Sequence, residues 1–214
     1  MTDLSKGFLS NHRTPKEMII LDYAELAKQR EACKTLGLTV GLTQGSFDLK
    51  HLGHDRYIMQ ASFQCDVLIV GVDSDDKIKK SKGPNRPVVG QEERLEQICY
   101  IRGVKIVTLK APHHKHLELL KAVQPDVLII STSTKEGKEV PEYTDAEMKE
   151  REPFCGKIII LQPQAPTSTT ARIRSLMIDF ASLLEQQLVL QIPEVVRRVV
   201  ETFASEQKPK KKGT

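Results

Sequence analysis

No apolar run in this sequence is long enough to cross a bilayer, and residues 1–18 lack the hydrophobic segment of a secretory signal. These absences argue against membrane-spanning and secreted proteins, so we expect a soluble, cytoplasmic protein without membrane partners. A C-x-x-C spacing is also missing. We therefore expect the cysteines to be reduced and mostly buried, not to form disulfides or a zinc site. They are Cys33, Cys65, Cys99 and Cys155.

A strong excess of charge of one sign is also missing from most of the chain. The formal net charge is +4, and much of it belongs to the lysine-rich residues 208–214. The remainder is close to neutral, which does not indicate a nucleic-acid partner. We expect the tail to be a disordered, solubilising end, with an acidic partner as the alternative. Internal repeats and inter-domain linkers are not found, so residues 1–207 are predicted to form one domain.

Short apolar runs rich in β-branched residues alternate with amphipathic stretches after residue 37. Such runs are typical of strands that are buried on both faces of a parallel sheet. The alternation predicts an α/β fold with a three-layer, doubly wound parallel sheet. The predicted strands are Leu38–Gln44, Cys65–Val72, Val104–Leu109, Pro125–Ile130 and Lys157–Gln162, and the predicted helices between them are His54–Phe63, Gly90–Arg102 and His116–Val123.

Further segments are predicted on either side of this repeat and within it. Leu21–Gly37 has the pattern of a lead-in helix that is ended by a glycine. Two closing helices are predicted at Ala171–Phe180 and Pro193–Phe203, the second packing on the sheet or on another subunit. The charged segment Lys135–Gly156 is predicted to be a partly helical insertion, either a lid or an exposed excursion.

Two histidines follow the first predicted strand, where ligands bind in open parallel sheets. We expect Gly45 to let the chain turn sharply after the strand, and Gly53 to let a phosphate approach the N–H groups at the helix start. The spacing of His51 and His54 places both rings near one side of that helix start. A pair of structural histidines is the alternative. A zinc site is disfavoured because H-x-x-H supplies only two ligands.

The segment "GSFDLKHLGH" resembles the signature of the nucleotidyltransferase superfamily, H-x-G-H after G-x-F-D. The similarity continues in order through "CDVLIVGVDSD", "KGPNRPV", "EERLEQI" and "QPDVLII", from about Tyr23 to about Arg174. Its spacing is similar to that of the adenylyltransferases that activate heptose phosphates, and of the cytidylyltransferases that act on glycerol phosphate. This resemblance implies a Rossmann-like nucleotidyltransferase fold. It also implies nucleotide-binding roles for Gly45, Ser46, Phe47, Asp48 and Gly53, and catalytic roles for His51 and His54.

A second group of polar residues follows the last predicted strand, in "APTSTTARIRS". Ser168, Thr169 and Thr170 can cap a helix that begins at about Ala171 and can face an anion, although a plain capping motif is the alternative. The resemblance implies that these residues and a following arginine hold the β- and γ-phosphates. Arg174 is assigned to the triphosphate and to catalysis, and Arg172 is its substitute.

A basic segment, Lys79–Pro87, is predicted to be a loop after the second strand. It resembles the K-G-P-x-R-P segment of the sugar-phosphate branch, where Lys82 and Arg86 meet the acceptor phosphate. A solvated basic loop is the alternative. Arg94 either anchors the following helix or reaches a phosphate. Asp48 either orients a histidine or the Gly45 loop, or caps local N–H groups.

The implied reaction is nucleotidyl transfer, in which an acceptor phosphate attacks a nucleoside triphosphate and Mg²⁺ bridges the phosphates. Adenine is the first expectation for the base, because the K-G-P-x-R-P context favours it, and cytosine is the second. The segment "STSTKEGKEV" replaces the family's K-G-G-D-Y or G-D-D-W segment, which leaves the base and the acceptor open. A nucleotide-binding protein without turnover is an alternative from another class. We expect no metal ligands among the side chains, and a homodimer is a family-level expectation. Lys50, where the family usually has an apolar residue, either faces solvent or adds charge near the phosphates.

Overall fold

The computed structural model describes the backbone of residues 13–111, 113, 117–135, 138–141, 143–164 and 169–206. For residues 133–135, 138–141, 169–172, 174, 190 and 203–206 it describes the backbone alone. The chain divides into two compact units, the first extending to Thr169 and the second beginning at Thr170. Each unit is described by itself below.

A parallel sheet of five strands lies at the centre of the first unit. The strand order is β3-β2-β1-β4-β6, so the sheet grows outward in both directions from β1 and β4. This reversal of strand order is the place where ligands bind in doubly wound sheets. The strands are β1 (Val40–Gly45), β2 (Val67–Asp73), β3 (Val104–Lys110), β4 (Val127–Lys135), β5 (Lys138–Pro141) and β6 (Lys157–Leu161).

Helices connect the parallel strands and cover both faces of the sheet. The predicted doubly wound α/β fold is therefore confirmed, and each predicted strand and connecting helix is found within a few residues of its expected bounds. The helices of the first unit are α1 (Pro15–Met18), α2 (Tyr23–Thr35), α3 (Leu52–Ser62), α4 (Asp75–Lys82), α5 (Gln91–Cys99), α6 (Glu118–Val123) and α7 (Asp145–Arg151), and Glu152–Phe154 form a 3₁₀ turn.

Alternate residues of the strands enter two separate hydrophobic clusters, one on each face of the sheet. On one face, Val70 of β2 packs with Ile58 of α3 and Ile98 of α5. On the other face, Ile69 packs with Leu26 of α2 and Leu120 of α6. Full burial of a side chain of this size contributes about 1.5–3 kcal/mol, so the two clusters dominate the stability of the sheet. Strand β6 is less buried than predicted, and its Ile160 is exposed.

The charged segment Lys135–Gly156 is more ordered than an exposed excursion. Strand β5 pairs antiparallel with the extension of β4, and α7 confirms the partly helical expectation. Arg151 is buried with its guanidinium stacked 3.8 Å from the centroid of the Tyr143 ring. Met148 and Phe154 pack against the second cluster. Burial of these side chains holds the segment against the core instead of leaving it as an exposed excursion.

The chain ends its described part with one helix, α8 (Thr169–Glu206), where we predicted two. Pro193 lies inside it, at the start of the second predicted helix. Proline lacks an N–H donor, but the hydrogen bonds of the neighbouring turns are sufficient to continue the helix. Within the described residues, none of the helices combines the length and apolar composition that crossing a bilayer requires. Large exposed apolar side chains run along α8 from Leu176 to Val200.

Candidate active site

The loop between β1 and α3 turns at two bulky residues. Phe47 and Leu49 both have φ of 47°, in the left-handed region that non-glycine residues rarely adopt. Gly45 is the last residue of β1 and is not among the glycines with positive φ, so the predicted turning role for Gly45 is wrong. A non-glycine residue whose backbone is held in this region destabilises the fold by about 1–3 kcal/mol, and such residues cluster at functional sites.

Gly45 is needed for a close approach of the Phe47 ring. A Cβ at position 45 would lie 2.9 Å from the ring atom Cζ, closer than real Cβ contacts. The buried Phe47 ring meets the His54 imidazole edge to face, with centroids 5.8 Å apart and planes at 81°. The predicted loop residues therefore form one stack, from the end of β1 through the aromatic ring to the second histidine.

The two histidines cap the start of α3 with their own side chains. His51 is the N-cap residue, and its Nδ1 accepts a hydrogen bond of 3.1 Å from the Gly53 N–H. His54 Nδ1 accepts one of 3.3 Å from the His51 N–H. Because each Nδ1 is an acceptor, we assign the proton of each neutral ring to Nε2. The Gly53 N–H, which we expected to meet a phosphate, is already engaged by His51.

The environment of His54 keeps its imidazole neutral. Burial, followed by the charges of His51, Lys50 and Lys82, lowers the pKa of His54 to about 4 against the opposing effect of Asp55. The two rings lie 4.1 Å apart between centroids, so two imidazolium ions there would repel one another. At neutral pH His54 is therefore an uncharged donor. Both histidines therefore cap the helix through Nδ1 and still carry a donor N–H at Nε2.

Lys82 lies at the end of α4 and reaches the loop between β1 and α3, residues 46–51, which we call the histidine loop. Lys79 to Lys82 form the last turn of α4, so the predicted loop begins only at Gly83, which has a φ of 98°. The Lys82 ammonium donates to Ser46 Oγ at 2.8 Å. Burial and the charge of Arg86 lower the pKa of Lys82, although Asp73 and Asp48 oppose this. Lys82 therefore contacts Ser46, and its charge acts on His54. Its catalytic role stays a prediction.

Asp48 connects the histidine loop to a distant segment. It is 2% exposed, and its carboxylate accepts hydrogen bonds of 3.0–3.1 Å from the N–H groups of Val88 and Val89. Arg86 completes this site with an ion pair of 2.6 Å to Asp48 Oδ2. Of the roles predicted for Asp48, these contacts support orientation of the loop that follows Gly45, because the carboxylate ties that loop to residues 86–89. Arg86, predicted to meet the acceptor, is committed to this carboxylate.

Arg94 is buried beneath the same loop. It is 0% exposed and donates to the carbonyl oxygens of Val89 at 2.9 Å, Ser46 at 2.6 Å and Asp73 at 2.7 Å. Its remaining partner is Asp75 Oδ1, at 2.7 Å. Of the two roles predicted for Arg94, the structure supports the anchor, because a guanidinium buried in this way does not reach a phosphate. We call Asp48, Arg86 and Arg94 the scaffold network.

The remaining cations and acids near the site are also placed. Lys50 forms an ion pair with Asp55 in the first turn of α3, and its charge acts on His54, so it does not simply face solvent. That it adds charge near the phosphates stays a prediction. Asp75 and the pair of Asp73 with Lys110 were missed by sequence reasoning. The partnership of Asp73 with Lys110 follows only from the register of β2 with β3, which no sequence motif records.

The second predicted half of the phosphate site, residues 168–174, includes the position in the sequence where the first unit ends and the second begins. Ser168 is outside the described residues, and Thr169 and Thr170 begin α8 with only their backbone described. The same holds for Arg172 and Arg174. Their phosphate-binding roles stay predictions. In the described part of the chain, groups of three metal-ligating side chains are not found.

Comparison with known proteins confirms the resemblance that the sequence motifs indicate. The model of the cytidylyltransferase-like family matches residues 42–178. The bifunctional protein HldE of Caulobacter vibrioides is 34% identical over 164 residues, covering 75% of this chain and 32% of the relative. HldE of Bradyrhizobium sp. is 33% identical over 168 residues, covering 77% and 33%. The chain thus spans about a third of the length of these curated relatives.

Solved structures share the fold at lower identity. A lipopolysaccharide core biosynthesis protein from Thermoplasma volcanium superposes with a TM-score of 0.51 and 20% identity, covering 60% of this chain and 100% of the other. Pantoate-beta-alanine ligase from Francisella tularensis superposes with a TM-score of 0.50 and 15% identity, covering 69% and 67%. Similarity at this level concerns the architecture alone.

Proposed function

Since this chain belongs to the cytidylyltransferase-like family, we propose that it moves a nucleoside monophosphate from a nucleoside triphosphate to a small phosphorylated acceptor. An acceptor phosphate oxygen attacks the α-phosphorus in line, the bond from that phosphorus to the bridging oxygen breaks, and pyrophosphate leaves. The acceptor oxygen is already ionised near neutral pH, so the reaction needs no protein nucleophile. The observation that carries the proposal is the pair of imidazoles that cap the start of α3 close to Lys82.

The imidazoles suit this role because their hydrogen bonds orient them before any ligand arrives. Each Nδ1 is tied to a backbone N–H, and each ring carries its proton on Nε2 as a donor. A neutral donor meets phosphate oxygens without needing to lose or gain a proton. Preorganised donors stabilise the charge that grows on phosphate oxygens in the transition state, and removing one costs about 10²–10³ in kcat.

Magnesium belongs to the proposal as a partner of the nucleotide. The carboxylates nearest the histidines, Asp48 and Asp55, are paired with Arg86 and Lys50, which fits an ion held by the phosphate oxygens. Bound there, Mg²⁺ supplies neutralisation of phosphate charge. Ser46 and Lys82 then act on the phosphates directly, Lys82 as a point charge at the end of α4.

The finer assignment of substrates rests on the resemblance of residues 82–87 to the sugar-phosphate branch. We propose ATP and a sugar phosphate, with CTP and a polyol phosphate as the second candidate. The test measures pyrophosphate release from each of the four nucleoside triphosphates with Mg²⁺, across glucose 1-phosphate, mannose 1-phosphate and glycerol 3-phosphate. Release with ATP supports adenylyl transfer, and release with CTP alone moves the assignment to cytidylyl transfer. Release with no pair favours a binding protein and contradicts the proposal.

Variants connect the activity to the site. We expect His54→Ala to lower kcat by about 10²–10³, because one preorganised donor is lost. Lys82→Ala should give a similar loss, while Lys80→Ala, on the exposed side of the same helix, should leave kcat unchanged. Full activity in His54→Ala would refute the role of that residue.

A further inference from the structure

A second group of polar side chains lies at the carboxyl ends of the first three strands. Gln44 on β1 is in register with Gly71 on β2, and Asp73 on β2 is in register with Lys110 on β3. The strand residues among them share the sheet face that carries α2 and α6, because they alternate with residues of the opposite cluster. Lys77 of α4 completes the group. We call Gln44, Asp73, Lys77 and Lys110 the open cluster.

The charges of the open cluster are close together but poorly satisfied. Lys77 Nζ lies 3.1 Å and Lys110 Nζ 3.3 Å from Asp73 Oδ1. That oxygen is buried and is shared by the two ammonium groups, whose contacts are short but imperfectly aligned, so each is weaker than a hydrogen bond to a partner of its own. Burial raises the pKa of Asp73, but Lys110 and Lys77 outweigh it and hold the pKa below its usual range. Burial lowers the pKa of Lys110 to about 8, so the ammonium is costly to keep there.

The open cluster is reachable from solvent, because the side chains of Lys77, Asp73 and Lys110 are 41%, 21% and 18% exposed. A glycine beneath it lets two of its members pack closely on the sheet. A Cβ on Gly71 would lie 2.6 Å from Leu119 Cδ2, 3.3 Å from Lys110 Cδ and 3.4 Å from Gln44 Cγ. The missing side chain thus lets the stems of Lys110 and Gln44 lie against the sheet. The side-chain amide of Gln44, next to Gly71 in the paired strands, offers two donors and an acceptor.

The open cluster borders the proposed phosphate site. The charge of Asp73 acts on the ammonium of Lys82, and Lys82 donates to Ser46 in the histidine loop. Arg94, in turn, binds the carbonyl oxygens of Ser46 and Asp73 and so joins the two places. A molecule whose phosphate meets Lys82 would therefore extend its other end over the open cluster.

We propose that the open cluster binds the vicinal hydroxyl groups of a phosphorylated sugar or polyol acceptor; this inference rests on the proposed function. Lys77 and Lys110 donate to hydroxyl oxygens, Asp73 accepts from hydroxyl hydrogens, and Gln44 does both. A second phosphate is a poorer fit, because the carboxylate of Asp73 can only accept hydrogen bonds, and an ionised phosphate oxygen beside it has no hydrogen to donate. Hydroxyl groups can replace the misaligned ion contacts with directed hydrogen bonds.

The test separates hydroxyl binding from phosphate binding. Isothermal titration calorimetry measures the Kd of glucose 1-phosphate, mannose 1-phosphate, glycerol 3-phosphate and ethyl phosphate, which has no hydroxyl groups, on wild-type protein with a non-hydrolysable nucleotide. For the hydroxylated compound that binds most tightly, Lys110→Gln and Asp73→Asn should each weaken binding about 10- to 100-fold. The Kd of ethyl phosphate should change less than about 3-fold, and Lys80→Gln should change neither.

Each other outcome is informative. Equal weakening of ethyl phosphate binding would show that the cluster acts on the phosphate and would overturn the inference, as would unchanged binding in both variants. The nearly isosteric Asp73→Asn keeps the test valid if Lys110→Gln fails to fold, which an unfolding curve detects. In turnover assays, KM for the acceptor should rise while KM for the nucleotide stays constant. Binding without pyrophosphate release would contradict the proposed function but not the open cluster.

Discussion

Two carboxylates at the same edge of the sheet, Asp48 and Asp73, are both surrounded by cations but in different ways. Asp48 belongs to the scaffold network, where two N–H groups and Arg86 satisfy it at 2.6–3.1 Å. Asp73 belongs to the open cluster, where two ammonium groups approach one oxygen without a well-aligned hydrogen bond. The first carboxylate is 2% exposed, whereas the side chain of the second is 21% exposed.

This difference distinguishes two kinds of polar group. Holding groups have all their partners in place and maintain the shape of the site, whereas facing groups remain available to a ligand. A buried charge with every partner in place has little left to offer a ligand, and its removal leaves its partners unpaired. A charge with imperfect partners can exchange them for a ligand at small cost. By this criterion Asp48 and Arg94 hold the site, and His54, Lys82 and the open cluster face it.

The largest effect on the free energy of unfolding is expected for Arg94→Met. A small effect would mean that Arg94 faces the site instead of holding it, and would contradict the comparison. Removal of the guanidinium leaves three carbonyl oxygens and Asp75 without their donor, so we expect a loss of about 4 kcal/mol in the free energy of unfolding. Urea unfolding followed by circular dichroism measures it. Arg94→Lys should be almost as damaging, since one ammonium cannot serve four acceptors. The exposed Arg102→Met is the control.

The second effect concerns Asp48→Asn. The amide keeps the size of the carboxylate but loses the charge that Arg86 requires, and one of its two ends becomes a donor facing N–H groups. We expect a loss of about 3 kcal/mol in unfolding free energy. Arg86→Gln in the same background should cost less than it does alone, and a double-mutant cycle measures that coupling. Additive losses would mean that the pair is not coupled.

A third effect tests His54 as a group that faces the site, through pH. Because the folded pKa of about 4 lies below the unfolded value of 6.5, His54 favours folding above pH 6.5. This contribution is lost as the pH falls from 6.5 towards 4. Between pH 7 and pH 5 it should amount to about 2 kcal/mol. His54→Gln should lack this part of the pH dependence. If the unfolding free energies of the two proteins changed equally with pH, the prediction would be contradicted.

The smallest effect on stability is expected for Asp73→Asn. Asp73 is 21% exposed, and Lys110, with a pKa of about 8, can lose its proton when its partner is neutralised, so the loss should be about 1 kcal/mol and below that of Asp48→Asn. The same substitution at Asp48 is the matched comparison, measured under identical conditions. Equal losses at the two positions would remove the distinction between holding and facing groups.

The parts of the molecule that depend on nearby residues were predictable. Alternating apolar runs gave the strands within a few residues, and His51 and His54 lie close enough along the chain for their spacing to place them together. Helix α4 was missed, although Ser74 followed by two aspartates is an N-cap pattern, because Gly83 and the prolines after it favoured a loop. Gly45 was misassigned because a turn at Phe47 and Leu49 is not expected of bulky residues.

The parts that depend on long-range pairing were not predictable from the sequence. Asp48 meets the N–H groups of Val88 and Val89 forty residues later, and Arg94 reaches back to Ser46, 48 residues earlier. Such partners follow from how the strands pack, and a single sequence does not record them. Continuity of α8 through Pro193 likewise depends on the sum of many turns and not on the proline alone.

The bonds from Asp48 to the Val88 and Val89 amides have a consequence for the dynamics of the segment that carries them. Both residues lie outside any helix or strand, where amide hydrogens usually exchange with solvent within seconds. Here the two hydrogens can leave only when the carboxylate lets go, an event that also frees Arg86 and loosens the histidine loop. Their deuterium uptake should therefore resemble that of the central strands, and it reports how often the histidine loop opens.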